Sequence, residues 1–150
     1  MPQSLSNILV HIVFSTKERR SWLNDSIINE LYRYIAGTLK QCNCETIKIG
    51  GTENHIHILC ALSKNHALNK IIEIIKTSSS KWIKTKGEIY RDFHWQNGYG
   101  VFSISSTHEN VISNYIANQK EHHKQITFEE ELKGILNKCR VKYDDKYVCG

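Results

Sequence analysis

Gly50-Gly51-Thr52-Glu53-Asn54-His55-Ile56-His57-Ile58-Leu59-Cys60-Ala61-Leu62 is the stretch that decides how this chain is read. After the glycine pair it becomes an apolar run with two histidines two residues apart, the pattern of a strand. Strand side chains repeat every two residues, so His55 and His57 share one face. Ile56, Ile58, Cys60 and Leu62 take the other. Two imidazoles side by side suit one divalent metal ion. The competing reading is a pair of core histidines, each hydrogen-bonded locally. For a single histidine that would be the expectation. For a pair with no other polar residue in its strand, the metal reading is favoured, and a third ligand must come from elsewhere.

Upstream, residues 44–51 (Cys-Glu-Thr-Ile-Lys-Ile-Gly-Gly) form another strand, and the short Thr52-Glu53 link makes the two an antiparallel hairpin. Before it, Ile27, Leu31, Ile35 and Leu39 recur every four residues, with Ile28, Tyr32 and Ala36 beside them. That spacing predicts an amphipathic helix, with Asn24-Asp25-Ser26 offering its N-cap. Residues 7–14 (Asn-Ile-Leu-Val-His-Ile-Val-Phe) form the first strand, with both faces at least partly covered. Downstream, residues 66–86 predict a second helix burying Leu68, Ile71, Ile72, Ile75, Ser79 and Trp82, with lysines on the remainder. A final strand follows over Val101-Phe102-Ser103-Ile104-Ser105. The order is βαββαβ, which predicts an α+β fold with a ferredoxin-like antiparallel sheet flanked by helices.

The chain has 150 residues, of which 40% are hydrophobic and 23% charged, as expected of one domain spanning 1–150 with a real core. No apolar run reaches membrane-spanning length and no signal peptide is evident, so no membrane association and a cytoplasmic location are expected. The net charge of +5 is compatible with a polyanionic partner. Cys42, Cys44, Cys60, Cys139 and Cys149 contain no Cys-x-x-Cys pair. Their odd number and irregular spacing predict reduced, incidental thiols, Cys42-x-Cys44 being a weak metal hint.

Ser15-Thr16-Lys17-Glu18-Arg19-Arg20 is a loop with three cations in four positions, either simply solvated or in contact with phosphate. Trp95 and Tyr99 could stack on bases, but composition favours the core for both. Ser106-Thr107-His108-Glu109 reads as a capping box. It opens a C-terminal helix carrying Val111, Ile112, Tyr115, Ile116 and Gln119. Tyr115 and Gln119 are four apart and so lie one above the other. His122 and His123 follow; a surface position is expected, with ligation or phosphate contact as the alternative. Thr127-Phe128-Glu129-Glu130 is a second capping box, opening a short helix through Leu132, Ile135 and Leu136.

Four segments together resemble the HUH-superfamily single-tyrosine transposases of bacterial and archaeal insertion sequences, of the small transposase A type. They are His11-Ile12-Val13-Phe14-Ser15-Thr16-Lys17 followed by Arg19, His55-Ile56-His57, Trp95-Gln96-Asn97-Gly98-Tyr99-Gly100-Val101-Phe102-Ser103, and Tyr115-Ile116-Ala117-Asn118-Gln119. The residue before the first histidine is often Asp in that family and is Asn54 here. The resemblance implies that His55, His57 and Gln119 hold a divalent ion, Mg²⁺ or Mn²⁺, and that Tyr115 is the nucleophile. It implies cleavage of single-stranded DNA at insertion-sequence ends through a 5′-phosphotyrosine link, rejoining by a free 3′-OH, and recognition of end hairpins. It implies a homodimer in which the tyrosine helix can pair with the other chain's histidines, and it strengthens Lys17, Arg19 and Arg20 as DNA contacts.

Elementary chemistry is compatible with these roles. A cation held by neutral imidazoles and an amide keeps its charge and can polarise a phosphodiester. Tyrosine, with a pKa of about 10, needs help to become a nucleophile near neutral pH. Attack by tyrosine conserves the bond energy for rejoining, and no Gly-x-x-x-x-Gly-Lys loop is found. Two other classes remain: a hairpin-binding module without catalysis, and a metallo-phosphodiesterase that activates water.

Overall fold

The computed structural model describes residues 3–146. Four strands, β1 (Leu9–Ser15), β2 (Glu45–Thr52), β3 (His55–Ala61) and β4 (Gly100–Ile104), form one sheet in the order β2-β3-β1-β4, with every neighbouring pair antiparallel. Helix α1 (Ile28–Gln41) joins β1 to β2, and α2 (Leu68–Lys84) joins β3 to β4. This is the ferredoxin-like βαββαβ arrangement expected from the order of elements.

Alternation divides the sheet into two faces. Val10, Ile12 and Phe14 of β1 and Ile56, Ile58 and Cys60 of β3 point toward α1 and α2, where they meet Leu31, Ile35, Leu39, Ile71, Ile72 and Ile75. Each fully buried aliphatic side chain of this layer contributes about 1.5–3 kcal/mol relative to exposure. The buried stripe of α2 includes Ile83 rather than Trp82. Trp82 is half-buried and stacks on Tyr34 at 5.3 Å, because a residue four after Ser79 continues that row more closely than one three after it.

The opposite face carries His11, Val13, His55 and His57. It is covered by α3 (Glu109–Ala117), α4 (Gln119–His122) and α5 (Phe128–Lys138). Val13 and Phe102 from the sheet pack there with Phe128 and Leu136 of α5. The helix expected to continue through Gln119 is interrupted. Asn118 leaves helical geometry at φ −99° and ψ 20°, while its N–H bonds the carbonyls of Asn114 and Tyr115. Asparagine accepts such an irregular position readily.

Two caps also differ. Ser105, not Ser106, accepts from Thr107 N at 3.4 Å and opens a 3₁₀ turn before α3. Asn24 Oδ1 accepts from Ser26 N in a turn that ends before α1 begins at Ile28. The cap at Thr127 is formed, its hydroxyl accepting from Glu130 N at 3.1 Å. Cys42, Cys44, Cys60 and Cys139 are free thiols; Cys149 lies outside the described residues. Among the described residues no helix is long and apolar enough to cross a membrane.

Candidate active site

The two histidines of β3 have no exposed surface. Each is held by its outer ring nitrogen. His55 Nδ1 lies 2.8 Å from Asn54 Oδ1 and 3.0 Å from Thr52 Oγ1. His57 Nδ1 lies 2.7 Å from Nε2 of His11, the neighbour that β1 brings to the same face. Fixing one imidazole nitrogen aims the other, as metal-ligating histidines require. The Asn54 amide oxygen orients the His55 ring without carrying a charge.

Both Nε2 atoms are aimed at one carboxylate oxygen, Glu131 Oε1, at 3.4 Å from His55 and 3.1 Å from His57. Gln119 Oε1 lies 2.9 Å from His55 Nε2, and Gln119 Nε2 donates to Glu131 Oε2 at 2.8 Å. The Tyr115 hydroxyl also donates to Glu131 Oε2. Tyr115, Gln119, His55 and His57 thus come together within one chain, although Tyr115 and Gln119 belong to different helices. The break at Asn118 does not separate them, because both reach the same carboxylate.

Glu131 was not singled out by the sequence. It is a buried acid on the first turn of α5, between an exposed Glu130 and Leu132. The expectation of surface positions for His122 and His123 also needs correction. His123 Nε2 lies 2.9 Å and His122 Nε2 3.4 Å from Glu131, and His123 Nδ1 is fixed by the Ile126 carbonyl. The turn after α4 folds back to meet α5, and this carries both rings inward. His123 and Phe128 then lie against the His55 ring, at 4.5 and 4.3 Å.

The electrostatics follow from burial and these contacts. Burial and neighbouring His57 push His11 down to about 3, against the pull of Glu131. Burial likewise lowers His57, with Glu131 opposing. Burial alone would raise Glu131, but hydrogen bonds from His55, His57 and Tyr115 hold it well below the usual carboxylate range. Burial, together with the adjacent carboxylate, raises Tyr115 well above an ordinary phenol, while Gln119 opposes. The cluster is therefore an anion ringed by imidazoles that are aimed inward. Its nitrogen and oxygen donors, pre-aimed from behind, fit a divalent cation.

The cationic loop sits at the end of β1. Lys17 and Arg20 are exposed, with Arg20 paired to Glu18 at 3.3 Å, whereas Arg19 lies over the Phe128 ring at 5.5 Å. Phe128 in turn stacks on His55, so Arg19 adjoins the cluster. Residues 94–98 hold this loop. The Lys17 N–H bonds the His94 carbonyl at 2.9 Å, and the Glu18 N–H bonds Gln96 Oε1 at 3.0 Å. Lys76 Nζ grips the Gln96 and Gly98 carbonyls, and burial lowers its ammonium to about 8. Trp95 is core, its indole N–H donating to Ser79 Oγ at 3.0 Å, but Tyr99 stands exposed beside an open cleft. The turn at Gly98, with φ 91°, carries the chain away from the core there.

Comparison with known proteins follows the same lines. A family model described as "Transposase IS200 like" matches residues 4–119. Among solved structures, a candidate transposase from Deinococcus radiodurans R1 superposes with a TM-score of 0.62 at 20% identity, over 79% of this chain and 98% of that one. A REP-associated tyrosine transposase bound to a REP hairpin gives a TM-score of 0.62 at 15% identity, over 84% of this chain and 74% of that one. No curated protein matches the sequence significantly.

Proposed function

Because the chain belongs to the IS200-like transposase family, we propose that it nicks and rejoins single-stranded DNA at insertion-sequence ends, with Tyr115 as the nucleophile. One observation carries this reading. The Tyr115 hydroxyl, the Gln119 amide and the imidazoles of His55 and His57 meet at a single buried carboxylate. His55, His57 and Gln119 would hold Mg²⁺ or Mn²⁺, and that ion would supply positive charge to polarise the scissile phosphate.

The protein's own groups do the rest. Tyr115 is held as a phenol at neutral pH, so its proton has to leave during attack. Glu131 Oε2 already accepts its hydrogen bond and is placed to take that proton. The phenolate oxygen then bonds to phosphorus as the 3′-oxygen leaves, giving a 5′-phosphotyrosine that a later 3′-OH can attack. Substrate approaches along Tyr115 and His122, both half-buried, since His55 and His57 are closed off. Lys17, Arg19 and Arg20 would contact backbone phosphates, and exposed Tyr99 would offer a base a ring to stack on.

On this reading residues 1–150 act as one domain on hairpin-bearing single strands in the cytoplasm. A homodimer is part of the family resemblance, but the side chains named here are supplied by one chain. The alternative is a hairpin-binding module without catalysis, and the complete burial of His55 and His57 is what favours it. Incubation of wild type and Tyr115→Phe with labelled hairpin single strands and Mg²⁺ separates the readings on a denaturing gel. Strand transfer requires a protein-linked product that the variant lacks. A binding module gives no such product from either protein, and a water-activating enzyme gives free cleavage that survives the substitution.

A further inference from the structure

The residue that organises the cluster is Glu131, and the four-segment resemblance gives it no role. Its side chain is 1% exposed. Oε1 faces His55, His57 and His123, while Oε2 faces Tyr115 and Gln119. A buried carboxylate is costly unless its charge is met. The groups that meet it here are imidazoles, a phenol and an amide.

The spacings have a further meaning. Adjacent ligand atoms on an ion with bonds of about 2.1 Å lie about 3.0 Å apart in an octahedral site and about 3.4 Å apart in a tetrahedral one. Glu131 Oε1 lies 3.1 and 3.4 Å from the two imidazole nitrogens. Glu131 Oε1 is thus spaced from each imidazole nitrogen as a neighbour on one ion, all three donor atoms lie within 4.8 Å of one another, and Glu131 is carried by a helix anchored through Phe128 and Leu136.

We propose that Glu131 is itself a metal ligand, so that the ion sits between two imidazoles and one carboxylate. The proposal rests on the reading of His55 and His57 as ligands. It follows from charge as well as from spacing. His55, His57 and Gln119 are neutral donors, and a divalent ion among them in a buried site would carry its full charge into a low-dielectric surround. One carboxylate offsets half of that charge and leaves the remainder for the phosphate. Two imidazoles with one carboxylate also favour Mn²⁺ over Mg²⁺, since nitrogen donors suit the softer ion. Oε2 stays directed at Tyr115, so one carboxylate would link the ion to the nucleophile.

The test is Mn²⁺ binding to the full-length metal-free protein, followed by calorimetry and by the loss of the free-ion electron paramagnetic resonance signal. His57→Ala and Glu131→Gln are compared with wild type, with a thermal melt of each. Even groups that only orient a ligand cost about 10–100-fold in affinity when removed. Glu131→Gln removes a ligand rather than an orienting group, so it should weaken Mn²⁺ by more than about 100-fold, and His57→Ala should do so as well. If Glu131→Gln loses no more than an orienting group would, about 100-fold at most, while His57→Ala is weakened further, the carboxylate is no ligand although the metal reading stands. If His57→Ala binds as wild type, the metal reading falls and this inference with it. If Glu131→Gln fails to fold, wild type decides: one equivalent of Mn²⁺ should shift a carboxylate stretch in the difference infrared spectrum, and no shift overturns the proposal.

Discussion

Gly50→Ala probes how the sheet sets the position of the tyrosine. Gly50 lies in β2 opposite His57, and its α-hydrogen faces the backbone of α3. A methyl group built there meets Ile116 Cγ2 at 2.9 Å and the Ile116 carbonyl carbon at 3.2 Å, with the carbonyl oxygen closer still. Carbon atoms in contact prefer about 3.5–4.0 Å, so α3 must withdraw by roughly 0.6 Å or more. The obstacle is backbone, which cannot rotate away. Overpacking of this kind costs about 1–3 kcal/mol, a fall in melting temperature of about 2–12 °C for a chain of this size.

Ile116 directly follows Tyr115, so the same displacement carries the proposed nucleophile with it. A misplacement of about 1 Å costs about 100-fold in rate, so phosphotyrosine formation should fall by roughly that factor while the fold survives. Gly37→Ala is the control: Gly37 is exposed within α1 and nothing lies within 4 Å of the added methyl. It should raise stability by up to about 1 kcal/mol and leave the rate unchanged. The assays are thermal melting and single-turnover adduct formation. A Gly50→Ala protein with wild-type melting and wild-type rate would refute the reasoning.

Three further outcomes follow from the same geometry. Asn54→Ala removes the amide oxygen that orients His55 and should weaken Mn²⁺ binding about tenfold by calorimetry; unchanged affinity would mean that Thr52 alone fixes the ring. Stability of the metal-free protein should fall by up to about 1.4 kcal/mol per pH unit below about pH 6.5, because His11 stays neutral down to about 3 when folded but binds a proton when unfolded. Glu131, depressed in the folded state, adds to the same loss below about 4.5; equal stabilities in denaturant titrations at pH 7, 6 and 5 would contradict the first effect, and a slope no steeper between pH 4.5 and 3.5 than between pH 6 and 5 would contradict the second. Replacing Lys17, Arg19 and Arg20 with alanine should flatten the salt dependence of single-strand binding by about 0.7 in slope for each phosphate no longer neutralised; an unchanged slope would place the DNA elsewhere.

What the sequence could reveal was local. His55 and His57 share a face because a strand repeats every two residues, and Ile35 and Leu39 lie in one stripe because a helix nearly repeats every four. The sheet order follows from the order of elements and the short Thr52-Glu53 link. Glu131 escaped because it stands beside Glu129 and Glu130, and three acids opening a helix read as a favourable charge on its N-terminus. Nothing in that pattern says which of the three faces inward; this depends on how α5 docks against Val13 and Phe102, a contact between distant parts of the chain. His122 and His123 were misjudged for the same reason, since the turn that brings them back is fixed by tertiary packing. The break at Asn118 has a local signal, asparagine, but the tyrosine-to-glutamine spacing masked it.

The most direct measurement is peptide mass spectrometry of the covalent product formed with Mn²⁺ and a hairpin single strand. Cleavage after lysine and arginine leaves Tyr99 and Tyr115 on one peptide, and fragmentation distinguishes them. The account predicts a nucleotide phosphate on the Tyr115 oxygen. A modification on Tyr99 or on another residue, or cleavage without any linked peptide, would contradict it.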